Sequence, residues 1–257
     1  MTQRWGTDDV TKAVELPGAA EQAILGPIGR QTSDNTRQLG DAVADAIVDA
    51  IALGTLSFGQ RIVEADLANQ LKVSRVPIRE AIKILNSQGI LTATPNRGAR
   101  VAPFDGDVTD QVFEVRVALE RIAARDAMQA YRRDPRQLDG LREIISRMER
   151  MARWSDWAEF RKCDVAFHRE ICIASGNDVV LKLWEALSRH VTIIFGRELA
   201  SEHDFEVVIS QHQKLLMLFE KGDTGIEQII EDHILRLRRP AKPATAAPNS
   251  KSVVARR

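Results

Sequence analysis

Several kinds of function depend on residues this chain has little of. Cysteine occurs only twice, as Cys163 and Cys172, in no CxxC spacing and no paired framework. That excludes a disulfide scaffold and a cysteine zinc ribbon, and it leaves both thiols reading as small buried hydrophobes. A glycine-rich phosphate loop, a dinucleotide fingerprint and a nucleophilic triad are all missing, which argues against an enzyme. Neither a signal peptide nor an apolar run of membrane-spanning length is present, so the expected home is the reducing cytoplasm, with no membrane partner. An excess of either charge is absent too, with 36 basic and 36 acidic residues in 257.

That balance conceals an uneven distribution. The net charge is −2 over residues 1–35, +2 over 36–104, −7 over 105–235 and +7 over 236–257. A polyanion is repelled by the acidic body, so any contact with DNA is expected on the 36–104 segment, with a possible addition from the basic tail.

Within 36–104 the stretch Glu64 to Ile90, EADLANQLKVSRVPIREAIKILNSQGI, reads as two short helices around a tight polar turn. Leu67, Ala68 and Leu71 form one apolar stripe, and Ile78, Ile82 and Leu85 form the other at i, i+4, i+7. What faces outward on the second helix is Arg75, Arg79, Lys83 and Asn86, three of them spaced by four. Ser74 stands where an N-cap stands, and Pro77 falls in the first turn, where a missing N–H does no harm. The basic end is therefore the N-terminal end, which has unpaired N–H groups and favours phosphate. On these residues alone an ordinary helical hairpin with a solvated basic face remains open. The segment that follows favours the other reading: ILTATP and ARVAP are β-prone runs joined by a turn with Arg97 at its tip, giving the order of a winged helix.

Before this motif, apolar residues at every fourth position from Arg37 to Leu53 predict an amphipathic helix that closes the winged-helix core. Residues 1–35 read as a flexible extension and 240–257 as a disordered basic tail. From 105 to 239 the β signal vanishes. Six helices are predicted there, over 108–133, 136–153, 157–174, 179–200, 205–221 and 226–239, making an all-α antiparallel bundle. The fold class is thus mainly α, a winged helix-turn-helix followed by a helical bundle.

One constellation in the bundle carries chemistry. Asp164 and His168 are four apart on one helical face, and His212 and His233 follow on later helices. A carboxylate with three imidazoles suits a divalent first-row ion, zinc first, with nickel, manganese or iron as alternatives. Satisfied core histidines are the competing reading. Arg116 and Glu120 share a face of the bundle's first helix, either as an internal i, i+4 ion pair or with Arg116 turned to the carboxylate of a small organic acid. His203-Asp204 has the look of a phosphohydrolase dipeptide, but it begins a predicted helix, where Asp caps. The tryptophans read as core or interface residues.

Taken together, these residues resemble the GntR family of bacterial transcription regulators, in its FadR branch with an FCD effector domain. The likeness spans about residues 37 to 239. It rests on the continuous run GTLSFGQRIVEADLANQLKVSRVPIREAIKILNSQGILTATPNRGARVAPF and, in the bundle, on EVRVALE, DVAFHREICIASGN, QHQKLL and His233. The resemblance implies a homodimeric regulator, in most cases a repressor, on an inverted-repeat operator in double-stranded DNA, controlled by a small organic acid. It implies metal ligands at Asp164, His168, His212 and His233, an effector contact at Arg116, and DNA contacts at Ser74, Arg75, Arg79, Arg97 and Gly98, with Lys72 and Lys83 adding charge. A metal-dependent enzyme with an appended DNA-binding domain is the alternative. Two departures stand out: Lys72 replaces a turn glycine common in relatives, and Ala65 replaces an arginine that contacts DNA in some of them.

Overall fold

A computed structural model describes residues 33–94, 98–198 and 205–236. The expected N-terminal extension (apart from its last three residues), the tail from 240, the wing-tip Arg97 and the His203-Asp204 pair all lie outside the described residues.

The first unit runs α1 (Ser33–Ala52), β1 (Arg61–Ile62), α2 (Glu64–Gln70), α3 (Arg75–Ser87), β2 (Leu91–Thr94) and β3 (Gly98–Val101). Its sheet has the order β1-β3-β2 and is antiparallel throughout, with Ile62 opposite Ala99 and Leu91 opposite Val101. The β1 strand is an addition to the expected hairpin. Two residues carry no alternation to read, and the strand exists because the edge of β3 is there to pair with it. The first helix begins at Ser33, four residues before the expected Arg37. Val43, Ile47 and Ile51 of α1 pack with Ile78 and Leu85 of α3 and with Ile90, all fully buried.

The second unit is the bundle: α4 (Gly106–Arg133), a 3-10 turn (Pro135–Leu138), α5 (Asp139–Arg153), α6 (Trp157–Ala174), α7 (Asp178–Glu198), α8 (Phe205–Lys221) and α9 (Ile226–Leu235). Asp105 and Asp156 cap α4 and α6 by accepting from the Val108 and Glu159 N–H groups. Pro135 turns the chain into the 3-10 segment where one longer helix was expected, since proline is suited to a first turn and unsuited to an interior. Cys163 and Cys172 are buried and unpaired, as small hydrophobes.

The two units share a helix. Along α7, Val180, Trp184, Val191 and Phe195 face the bundle core, whereas Ile193 is fully buried in the winged-helix core. Burying an isoleucine is worth roughly 1.5–3 kcal/mol, so the bundle contributes directly to the stability of the first unit. Gly196 makes the approach possible: a Cβ there would meet the Ala52 carbonyl oxygen at 2.5 Å and the Ala52 Cβ at 2.6 Å. Around this contact Arg189 binds Asp45 (2.8 Å) and Asp41 (3.0 Å), and the His190 Nε2 lies 3.0 Å from the carbonyl oxygen of Gln88, the residue that ends α3.

Candidate metal centre and nucleic-acid interface

Five helices converge on a small polar box inside the bundle. Arg116 and Glu120 come from α4, Asp164 and His168 from α6, Trp184 from α7, His212 from α8 and His233 from α9, and each is nearly or fully buried. The three imidazoles each offer a nitrogen, all within 4.8 Å of one another. Asp164 joins them through its Oδ1, 3.1 Å from His212 Nε2. The set expected from sequence is therefore brought together.

Hydrogen bonds orient the rings. His168 Nδ1 lies 2.5 Å from Glu120 Oε2, and His212 Nδ1 donates to the Val208 carbonyl at 2.8 Å. With protons on both Nδ1 atoms, both Nε2 lone pairs face inward, as in a histidine that holds a metal and is steadied by an acceptor behind it. His233 Nε2 is 3.3 Å from His168 Nε2. Burial holds His168 and His233 below the usual histidine range, despite the pull of Glu120 on the first, which favours the neutral ring that a metal ligand requires.

Burial alone would raise the Asp164 carboxyl, but the His212 ring 3.1 Å away, with His168 and Arg116 nearby, brings it below the usual carboxylate range. It is ionised, yet Asp164 Oδ1, Asp164 Oδ2 and His212 Nε2 have no hydrogen-bond partner. An acceptor facing an acceptor in a buried site is costly without a cation between them. These residues fit a divalent ion by donor chemistry and by that deficit.

Of the two alternatives left open by the sequence, Arg116 forms the internal ion pair. Its Nε binds Glu120 Oε1 at 2.7 Å, the i, i+4 pair, while Nη1 and Nη2 are buried without partners. The guanidinium thus has two unsatisfied donors, with the Phe195 ring 5.6 Å away. Sequence reasoning missed the reach of Glu120. Its Oε1 also accepts from the Trp184 indole N–H at 2.9 Å, so one carboxylate ties Arg116, His168 and Trp184 together. Burial pushes the Glu120 carboxyl up, and Arg116 and His168 outweigh it, holding it well below the usual range.

The outward face of α3 is the opposite environment. Ser74, Arg75, Arg79, Lys83 and Asn86 are all exposed along α3. Ser74 has the extended backbone of an N-cap but makes no side-chain cap hydrogen bond. Arg79 pairs with Glu64 at 2.8 Å and Lys83 with Glu80 at 2.8 Å, both at the surface. Val76, which the sequence reading passed over, is 54% exposed in the first turn of α3. Lys72 holds φ at 52°, the left-handed turn conformation that glycine adopts without strain. Gly98 opens β3 at φ 78°, and a Cβ there would come within 3.1 Å of the Ile62 carbonyl.

Residues 39–101 match the family described as bacterial regulatory proteins, gntR family, and residues 111–236 match the FCD domain. The chain is 30% identical over 208 residues to a probable D-xylose utilization operon transcriptional repressor of Paenarthrobacter nicotinovorans, covering 80% of this chain and 88% of that one. The chain belongs to the GntR family. A second GntR relative, the gluconate operon transcriptional repressor of Bacillus subtilis, is 29% identical over 192 residues, covering 73% of this chain and 78% of that one. The fold matches E. coli McbR/YncC at a TM-score of 0.68, with 20% identity over 77% of this chain and 94% of that chain. As a GntR-type winged helix with a helical FCD domain, the chain is a DNA-binding transcription regulator and not an enzyme. No helix among the described residues is long and apolar enough to cross a membrane.

Proposed function

We propose that this regulator is a homodimeric repressor whose grip on an inverted-repeat operator is controlled by a small organic acid bound beside a divalent ion in the bundle. The observation that carries the reading is the pair of unsatisfied, buried Arg116 Nη donors in the same box as the three-histidine cluster. With neutral imidazoles, Arg116, Glu120 and Asp164 sum to one negative charge, and a divalent ion at His168, His212, His233 and Asp164 turns that to one positive. A carboxylate brings the box to neutrality and supplies the acceptors that Arg116 lacks. When bound, the ion acts as a Lewis-acid anchor for an acid oxygen, zinc being first choice on the nitrogen-rich donor set.

On the DNA side, Arg75, Arg79, Arg97 and the Gly98 backbone serve as base or phosphate contacts, with Ser74, Lys72 and Lys83 against the phosphates. Two-fold symmetry places paired α3 helices in major grooves roughly 34 Å apart. The exposed apolar pair Val179 and Leu183, one turn apart on α7, supplies a surface for a second copy.

The test begins with metal. Protein purified without an affinity tag for metal is expected to carry about one divalent ion per chain, lost in His168→Ala. Calorimetric titration of the loaded protein with sugar acids, starting from gluconate because of the relatives' operons, is expected to find a ligand whose binding vanishes in Arg116→Met. A wild-type protein that neither retains nor takes up a divalent ion would sink this reading.

A further inference from the structure

Two bundle helices carry residues of the buried site and also touch the winged-helix unit: α6, through Arg161 and Lys162 at Asp49 of α1, and α7, whose contact is the more extensive. Near its N-terminal end, α7 delivers the Trp184 indole N–H to Glu120 at 2.9 Å. Five to twelve residues further on, the same helix delivers Arg189 to Asp41 and Asp45, His190 to the carbonyl that ends α3, Ile193 to the winged-helix core and Gly196 to Ala52. The span from Trp184 to Gly196 is about 18 Å of continuous α-helix. Two groups of the site converge on the carboxylate that Trp184 uses: His168 at Oε2 and Arg116 at Oε1, the oxygen that Trp184 shares, while the Arg116 guanidinium also lies 5.6 Å from the Phe195 ring of α7.

We infer that Trp184 is a positioning residue that makes α7 the transmission element, its hydrogen bond to Glu120 carrying occupancy of the buried site to the DNA-binding unit. The inference rests on the function proposed above and adds the route. His168 with its Nε2 lone pair engaged is a stronger donor at Nδ1, and it draws the Glu120 carboxylate toward itself. Arg116 with a carboxylate on its Nη groups has less charge left for Oε1. Either change alters the acceptor that Trp184 uses. The helix cannot absorb the difference locally, because its two faces are packed into two different cores and Gly196 sits against Ala52 with no room for a methyl. A small displacement at Trp184 therefore moves Arg189, His190 and Ile193 as one body, and α1 and the end of α3 with them.

Zn²⁺ alone, added to the full-length metal-free protein, is the probe, and backbone hydrogen exchange by mass spectrometry is the readout. In the wild type the exchange change is expected in 116–120, 164–168 and 212, and also in 188–197, 39–53 and 84–90. Trp184→Phe keeps the ring and loses the N–H. It is expected to bind one Zn²⁺ with affinity close to wild type, while the change beyond 188 falls about fivefold or more. An undiminished distant response in Trp184→Phe overturns the inference, as does a wild-type response confined to the bundle. Failure of the wild type to bind Zn²⁺ is a different result, and it removes the reading beneath. Should Trp184→Phe not fold, ¹⁵N-indole spectra of the wild type decide: one of the four tryptophan N–H resonances, assigned to Trp184, is expected to move and exchange more slowly with Zn²⁺. An unmoved resonance refutes the link.

Discussion

Arg79 and Arg116 each hold a glutamate through Nε, at 2.8 and 2.7 Å, and the two pairs could hardly be more different. Arg79 is 57% exposed, so its ion pair is screened and adds little to stability, and a DNA phosphate or base can replace Glu64 at small cost. Arg116 is 1% exposed, and its pair belongs to a network in which every removed partner strands another charge. The same two residue types thus make an exchangeable surface pair on one unit and a fixed pair with unsatisfied donors on the other. The incompleteness is confined to the two Nη donors, the Asp164 oxygens and His212 Nε2, the atoms a metal-bound acid would meet.

The largest effect is expected from breaking the buried pair. Glu120→Ala strands Arg116 and should lower the unfolding free energy of the metal-free protein by about 3–5 kcal/mol, measured by urea denaturation, whereas Glu64→Ala should change it by less than about 0.5 kcal/mol. Equal losses would abolish the distinction. A smaller effect sharpens the exposed side: Arg79→Ala should weaken operator binding by about 1–3 kcal/mol if it reads a base, with little loss on random DNA. Equal loss on both would assign it to a phosphate.

The smallest concerns the seam between the units. Burial holds the His190 imidazole below the usual histidine range, against the pull of the Gln88 and Ala186 carbonyls that face it. Phe104 lies against the ring, and the adjacent Arg189 is turned to Asp41 and Asp45. Between that lowered value and the ordinary one near 6.5 the unfolded chain binds a proton that the folded chain does not. Its contribution is therefore complete above about pH 6.5 and declines as pH falls through that window. Thermal melts of His190→Gln should show a shallower loss between pH 7 and 5.5 than the wild type, by less than about 1 kcal/mol. An unchanged slope would remove His190 from the seam's pH response.

How much of this was legible depended on whether the signal was local. The bounds of α6 and α8 match the reading from periodicity and caps, because Asp156 and the apolar spacing speak within a few residues of each helix. Asp164 and His168 were legible as a pair for the same reason, and His212 and His233 as candidates because histidine is scarce here. By contrast, β1 exists only through its neighbour. Ile193 carries the same helical period whether it faces one core or another. Trp184 and Glu120 are 64 residues apart, and a tryptophan in an apolar stripe says nothing about which acceptor its N–H will find.

Lys72 carries a consequence for how such proteins diverge. Its left-handed backbone, φ 52°, costs roughly 1 kcal/mol relative to glycine, and the cost is present in every folded molecule, on DNA or off it. The benefit proposed above for its charge would exist only on DNA. One codon therefore sets thermal tolerance against time spent on the operator, and selection can move this position in either direction without touching the bundle at all.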